Sequence, residues 1–137
     1  SVDLGSNGVS RTITLIPAAT NLHGVRYDQR SDTLILSDVG LAADAADGAL
    51  LALEFASTAS GATAVTKRVA GPLTGLGNPV DIAFDGADLY VAEKANAGGA
   101  IQVWRNFLTD TSLTGSVAPS SSVATVNPES IVLMRKF

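Results

Sequence analysis

Cysteine is absent from the 137-residue chain, and histidine and tryptophan occur once each. Without cysteine the chain can form no disulfide, no thiolate zinc site and no cysteine nucleophile. Basic residues are few as well. The chain has nine lysines and arginines and thirteen acidic residues, which gives a net charge of -4. No basic run is present to neutralise a phosphate backbone. The sequence therefore does not predict a nucleic-acid partner.

Long hydrophobic runs are also missing. No stretch approaches the roughly 18 apolar residues that span a bilayer, and no charged-then-apolar segment opens the chain, so no membrane span is predicted. Ser1 rather than Met stands first, from which we expect a processed or excerpted polypeptide. Because 46% of the residues are hydrophobic and 16% are charged, the chain should fold as one ordinary domain with a buried core.

Three segments of the chain share a pattern that begins with asparagine. The pattern is Asn, two residues, a small or acidic residue, a β-branched residue, any residue and a large apolar residue, and it occurs in 21–28, 78–85 and 127–133. The first two copies are each followed by a polar turn and two further apolar runs, which are 34–38 and 48–54 in one case and 89–93 and 99–105 in the other. These runs have the composition and spacing of β-strands.

A more polar fourth strand is expected ahead of each asparagine, over 12–16, 64–69 and 122–126. The repeating unit is then four short antiparallel strands over roughly 50 residues, which is the size of a propeller blade. The sequence therefore predicts an all-β fold of β-propeller blades, with an incomplete ring in this chain. The predicted divisions are a lead-in and outer strand over 1–20, a blade over 21–70, a blade over 78–126 and the inner strand of a further blade over 127–137. Residues 41–47 are expected to form a single turn or a loop, and residues 1–10 a frayed lead-in.

The number of predicted blades has a consequence for assembly. A ring of this kind needs four or more blades, and two complete ones would leave the faces of the end blades in water. Each Å² of apolar area left wet costs roughly 25 cal/mol. We therefore expect additional propeller blades from another chain, or a second copy of this one, to cover those faces.

The stretch 78–93, Asn-Pro-Val-Asp-Ile-Ala-Phe-Asp-Gly-Ala-Asp-Leu-Tyr-Val-Ala-Glu, resembles the NHL-repeat and gluconolactonase-like group of six-bladed β-propellers. Members typically carry Pro-x-Gly-Ile-Ala-x-Asp-x-x-Gly-x-Leu-Tyr-Val-x-Asp in each blade. The resemblance implies a central channel, lined just before and within the innermost strands, where a ligand or a metal ion sits. The matching channel-facing, ligand-binding candidates are Asn21, His23, Gly24, Asn78, Asp81, Asn127 and Ser130.

Each of these candidates also has a structural interpretation. The asparagines either present a ring of amides to a channel ligand or act as turn formers, since Asn bonds nearby backbone and tolerates left-handed conformations. Asp81 is the candidate metal ligand, with calcium as the ion. The other two copies of the pattern have Gly24 and Ser130 at the position of Asp81, so the pattern itself does not require a carboxylate there.

No catalytic constellation accompanies the candidates. His23 has no second histidine or cysteine beside it for a transition metal, and it is otherwise a polar strand residue. The chain has no Gly-x-Ser-x-Gly elbow, no Gly-x-x-x-x-Gly-Lys loop and no Asp-x-Asp-x-Asp-Gly calcium loop. Asp85 and Gly86 fit a hairpin turn. Trp104 is expected to pack between blades, with an exposed stacking platform as the alternative.

The function predicted from these features is that of a non-catalytic propeller segment, a binding or assembly module completed by further polypeptide. One alternative is a portion of a calcium-dependent gluconolactonase-like hydrolase, with Asn78 and Asp81 as channel ligands. Another is a surface or filament subunit joined by strand addition. The low lysine content, the absence of cysteine and the many small residues resemble exported bacterial proteins and predict an extracellular or periplasmic location.

Overall fold

The structure is a computed structural model that describes residues 2–3, 8–9, 11–41 and 43–134. The strands in chain order are β1 (Val2–Asp3), β2 (Gly8–Val9), β3 (Ile13–Ile16), β4 (Leu22–Asp28), β5 (Thr33–Asp38), β6 (Ala49–Leu53), β7 (Gly61–Ala64), β8 (Lys67–Ala70), β9 (Pro79–Phe84), β10 (Leu89–Glu93), β11 (Ala100–Trp104) and β12 (Ser121–Ala124). A short 3-10 turn, Asn96–Gly98, is the one helical segment in these ranges. The predicted all-β class is confirmed. Within the described ranges, no helix has the length and apolar character needed to cross a membrane.

Two four-stranded antiparallel sheets contain most of the strands. Sheet I has the order β4-β5-β6-β8, and sheet II has the order β9-β10-β11-β12. In both sheets each strand pairs with the one that follows it, except that β7 leaves sheet I between β6 and β8. The predicted antiparallel meander of four strands is therefore present twice.

The region predicted as one fourth strand, 64–69, is divided between two sheets. β7 pairs in parallel with β3, whereas β8 pairs antiparallel with β6. The change of partner falls between two neighbouring residues: Val65 N–H donates to Ile16 O at 3.0 Å, and Thr66 N–H donates to Ala52 O at 2.8 Å. The prediction of a single strand was wrong because the period of apolar residues does not report which partner a strand has.

The parallel contact of β3 with β7 recurs one unit later. β8 forms a parallel bridge from Val69 to Gly115, in the connection between β11 and β12. Ala70 N–H donates to Gly115 O at 3.0 Å, and Gly115 N–H donates to Arg68 O at 2.9 Å. β3 therefore contacts the segment that connects β6 with β8 of sheet I, and β8 in the same way contacts the segment that connects β11 with β12 of sheet II.

The central strands of sheet I, β5 and β6, are buried on both faces. Leu36 packs with Leu15 of β3 on one face, and Ile35 and Leu50 pack with Trp104 of sheet II on the other. All five residues of β6 are buried. Because an antiparallel sheet in a two-layer sandwich keeps one face toward water, sheet I is the middle layer of a stack.

Trp104 lies fully buried between the two sheets, as predicted. Its Nε1 donates to Gln102 Oε1 at 3.3 Å. Gln102 Nε2 in turn donates to the carbonyl oxygens of Thr74 at 3.1 Å and Gly75 at 3.0 Å, in the connection between the sheets. The polar edge of the indole is therefore bonded within the core, which excludes the stacking-platform alternative.

Both ends of the chain differ from the prediction. The expected frayed lead-in contains an antiparallel pair, β1 with β2, and its other residues before 11 lie outside the described residues. Residues 127–134 form no strand, although the inner strand of a further blade was predicted from 127 onward, and 135–137 are not described. A strand forms by pairing, and no described strand of sheets I and II pairs with this segment. The 41–47 segment forms turns and loop, as expected, apart from residue 42, which is not described.

Candidate functional site

Each of the first two asparagines stands at a corner that is closed by a buried carboxylate. Asn21 N–H donates to Asp38 Oδ1 at 2.7 Å, and Asn78 N–H donates to Glu93 Oε1 at 2.9 Å. Asp38 is the last residue of β5 and Glu93 is the last residue of β10. Their exposed fractions are 3% and 0%. A buried carboxylate needs hydrogen-bond donors, and converging backbone N–H groups supply them here.

The two corners share further bonds. The additional donors are the backbone N–H groups of Thr20 and Gly40 on Asp38 and of Ala95 and Asn96 on Glu93. The residue after each acid also donates to the asparagine carbonyl, Val39 to Asn21 at 2.8 Å and Lys94 to Asn78 at 3.0 Å. The main chain at these asparagines therefore builds a turn. Sequence reasoning missed the acids, although each ends an apolar run that follows the asparagine.

The third asparagine has no such carboxylate. Asn127 is exposed, its φ of 44° lies in the left-handed region, and its N–H donates to Gly98 O at 3.3 Å. Neither Asn21 nor Asn78 has a positive φ. The third copy of the pattern therefore has the asparagine in a different conformation, without the acid that closes the other two corners.

Asp81 connects the three copies of the pattern. Its Oδ1 accepts the Ile82 N–H at 2.9 Å and lies 3.5 Å from Arg26 Nη2, and its Oδ2 accepts the Ile131 N–H at 3.0 Å. Arg26 belongs to the first copy and Ile131 to the third. Asp81 thereby holds the segment 127–134 beside β9.

These contacts of Asp81 do not fit a calcium site. Both carboxylate oxygens already accept hydrogen bonds, and a guanidinium stands beside one of them, where it repels a cation. Calcium takes six to eight oxygen ligands. In the part of the chain that the structure describes, no group of three or more His, Asp or Glu side chains could hold a metal ion.

The remaining channel-facing candidates are His23, Gly24 and Ser130. His23 lies exposed on β4, and Ser130 is exposed next to Ile131. Gly24 is buried, and a Cβ added there would lie 2.7 Å from Ser37 Oγ and 2.9 Å from Ile82 Cγ1. The close approach of β4 to β9 therefore requires glycine at this position.

The face of sheet II turned away from sheet I carries a cluster of apolar residues, and we call it the open face. Its apolar residues are Tyr90, Ala92, Ile101, Val103 and Val123, of which Ala92 is buried, and the strand pairing places Asp81 and Ser121 on the same face. Tyr90 pairs with Val103, Ala92 pairs with Ile101, and Ile101 pairs with Val123, and directly paired residues share a face. Tyr90, Ile101 and Val103 are half-buried.

The open face is the counterpart of a surface that sheet I buries. The two sheets can be aligned by matching Asp38 with Glu93 and following the strand pairings from these two residues. In this alignment Val69 of β8 corresponds to Val123 of β12. The same register places Ile35 with Tyr90 and Leu50 with Ile101. Val69 is 0% exposed and Val123 is 68% exposed. Sheet II covers the surface in the first case, and no described residue covers Val123 to that extent in the second.

Large apolar side chains near the open face extend it. Val132 is 81% exposed and Met134 is 91% exposed, and a pocket is lined by Tyr90, Leu133 and Met134 together with Phe84 and Asp85. Burial, followed by the negative charge of Asp85, raises the pKa of Tyr90, whose hydroxyl donates to Asp85 Oδ2 at 3.2 Å. The phenol is therefore neutral at physiological pH. Contiguous exposed apolar surface of this kind is typical of a contact site.

A scan against protein-family models found no match to this chain, and the searches of curated proteins and of solved structures found none either. The corners, the Asp81 contacts and the open face are therefore the observations that bear on function.

Proposed function

We propose that the chain is a non-catalytic segment of an NHL-like β-propeller, and that it acts as a binding or assembly module whose open face binds further polypeptide. The observation that carries the proposal is the correspondence of Val69 with Val123, one fully buried and the other 68% exposed. One surface occurs twice along the chain. Its first copy is a protein core, and its second copy has the chemistry of a core without a covering layer.

The arrangement of the units supports a propeller over a closed sandwich. Sheet I is a middle layer, and the relation of β3 to sheet I repeats in the relation of β8 to sheet II. The first strands of the two sheets are neighbours, since Gly24 lies against Ile82 and Arg26 reaches Asp81. Adjacent first strands and repeated sheet-to-sheet contacts are the geometry of successive blades.

The physical reason for a partner is the free energy of the wet surface. Covering the open face recovers roughly 25 cal/mol for each Å² of apolar area, which is the contribution that sheet II makes to sheet I. The edge strand β12 is exposed at all four positions. A further layer would also pair or cover this edge, which is otherwise open to aggregation.

The test is the mass of the particle isolated from its native source, together with the intact mass of every chain in it. We expect a particle that contains further polypeptide. Val123→Asp should release the chain as a single folded polypeptide. A carboxylate at this position could be buried under further polypeptide only if a hydrogen-bond donor or a cation compensated its charge. Gln29→Glu is the matched control, since it adds the same charge at the exposed turn between β4 and β5 and should leave the particle intact. A folded single chain from the unaltered protein contradicts the proposal.

A further inference from the structure

Residues 127–133 repeat the pattern of the first strand of each sheet. In the other two copies this strand pairs with a second strand, β4 with β5 and β9 with β10, whereas no described strand pairs with 127–133. Asp81 holds this segment beside β9 through the Ile131 N–H at 3.0 Å. We infer that the segment receives an antiparallel strand that ends in Asp or Glu, carried on a β-hairpin of further polypeptide. This inference rests on the proposed function and specifies the partner that the open face takes.

The register of the incoming strand follows from sheet II. There Pro79 pairs with Glu93, Ile82 with Val91 and Phe84 with Leu89. The repeat aligns Pro128, Ile131 and Leu133 with Pro79, Ile82 and Phe84. The acid of the incoming strand is then opposite Pro128, and its apolar residues are opposite Ile131 and Leu133. Sheet I has the same register at its corner, where Leu22 pairs with Asp38.

The acid is inferred from the state of the third corner. In the first two corners the asparagine N–H donates to a carboxylate at 2.7 and 2.9 Å. Asn127 N–H instead reaches a carbonyl oxygen at 3.3 Å, with φ at 44°. A carboxylate opposite Pro128 would accept this N–H in a stronger, charge-assisted bond, and the residue after it would donate to the Asn127 carbonyl.

The described strands of a second copy do not supply such a strand. Its β1 and β2 form an antiparallel pair, but at two residues each they are too short to pair along residues 128–133. Its own second and third strands, β5 with β6 and β10 with β11, are central in their sheets and paired on both sides. Its β3 is paired in parallel with β7 and corresponds to an outer strand rather than to one that pairs with an innermost strand. The occupant is therefore a hairpin that supplies a second and a third strand, whose apolar side chains would lie on the open face.

The probe is a synthetic hairpin that copies residues 85–105, prepared with either Glu or Gln at the position of Glu93 and added to the full chain. We expect the Glu hairpin to slow amide hydrogen exchange at residues 130–133. The Gln hairpin should bind about tenfold more weakly, because a neutral amide oxygen is the poorer acceptor. Val123→Asp in the chain should weaken both hairpins, whereas Gln29→Glu should weaken neither.

The other outcomes separate this inference from the proposed function. Equal binding of the two hairpins overturns the acid-ended strand and leaves the binding module intact. Light scattering that gives two chains per particle, with residues 130–133 protected before any hairpin is added, overturns the inference in favour of a second copy. Absence of protection by either hairpin overturns it too. If the natively isolated particle is also a single chain, the proposed function fails with it.

Discussion

Sheet I and sheet II carry the same apolar surface in two different environments. In sheet I the surface around Leu50 and Val69 is the core between the sheets, and in sheet II the equivalent positions, Ile101 and Val123, face outward. The residue types are alike, so composition alone does not distinguish a buried surface from an exposed one. The difference lies in whether a neighbouring layer is present, and this makes the comparison testable by substitution.

The largest expected difference is between Leu50→Ala and Ile101→Ala. Leu50 is fully buried, so its truncation leaves a cavity and should lower the free energy of unfolding by about 2–5 kcal/mol. Ile101 is half-buried on the open face, and its truncation should cost about 1 kcal/mol in the isolated chain. Urea unfolding of both variants measures the difference. Equal losses would show that the open face is covered within the chain itself.

A smaller effect is expected at the two corners. Asp38→Asn and Glu93→Gln each replace a buried carboxylate that accepts three backbone N–H groups, and each should lower the free energy of unfolding by about 1–3 kcal/mol. Asn127→Ala should change it by less than about 0.5 kcal/mol, since its corner is exposed. Thermal unfolding of the three variants ranks them. A loss at Asn127 as large as at Glu93 would contradict the difference between the corners.

The smallest effect concerns the turns that follow β4 and β9. The Ser31 hydroxyl lowers the pKa of Asp28, and the N–H groups of Asp88 and Ala87 lower the pKa of Asp85, both from an ordinary value of 3.8. A carboxyl whose pKa is lower in the folded chain stabilises the fold above its unfolded pKa, and this stabilisation is lost as the pH falls through the folded pKa. We expect the melting temperature to decrease progressively below about pH 4.

Asp85→Asn and Asp28→Asn provide the control for this pH dependence. Each should lower the melting temperature at pH 7 and flatten its decrease between pH 4 and pH 2, because the titrating carboxyl has been removed. An unchanged acid slope in both variants would assign the decrease to other carboxylates.

The sequence predicted the order of the strands well, because apolar periodicity and turn residues are local. Asp85 and Gly86 lie in the hairpin turn that was predicted between β9 and β10, where Asp85 Oδ1 accepts the N–H groups of Ala87 and Asp88 at 2.9 and 2.8 Å. The change of partner at Val65 and Thr66 was missed, since pairing depends on strands distant in the chain. The acids at the corners were missed because a carboxylate that ends a strand has the same composition whether it faces solvent or accepts buried N–H groups.

The site was predicted less completely than the fold. Asp81 was predicted as a ligand-binding candidate, and its contacts with Arg26 and Ile131 were not predicted because they depend on the packing of three distant segments. The pattern in 127–133 led to an incorrect strand prediction, because a pattern records the tendency of a segment to pair and not the presence of its partner.

Single-cysteine labelling tests the central claim most directly, because the chain contains no cysteine of its own. Val69→Cys and Val123→Cys place one thiol at equivalent positions of the two sheets. In the isolated chain we expect the thiol at 123 to react with a maleimide at the rate of an exposed thiol and the thiol at 69 to be protected. In the natively assembled particle both should be protected. A thiol at 123 that reacts equally fast in the isolated chain and in the particle would contradict the account.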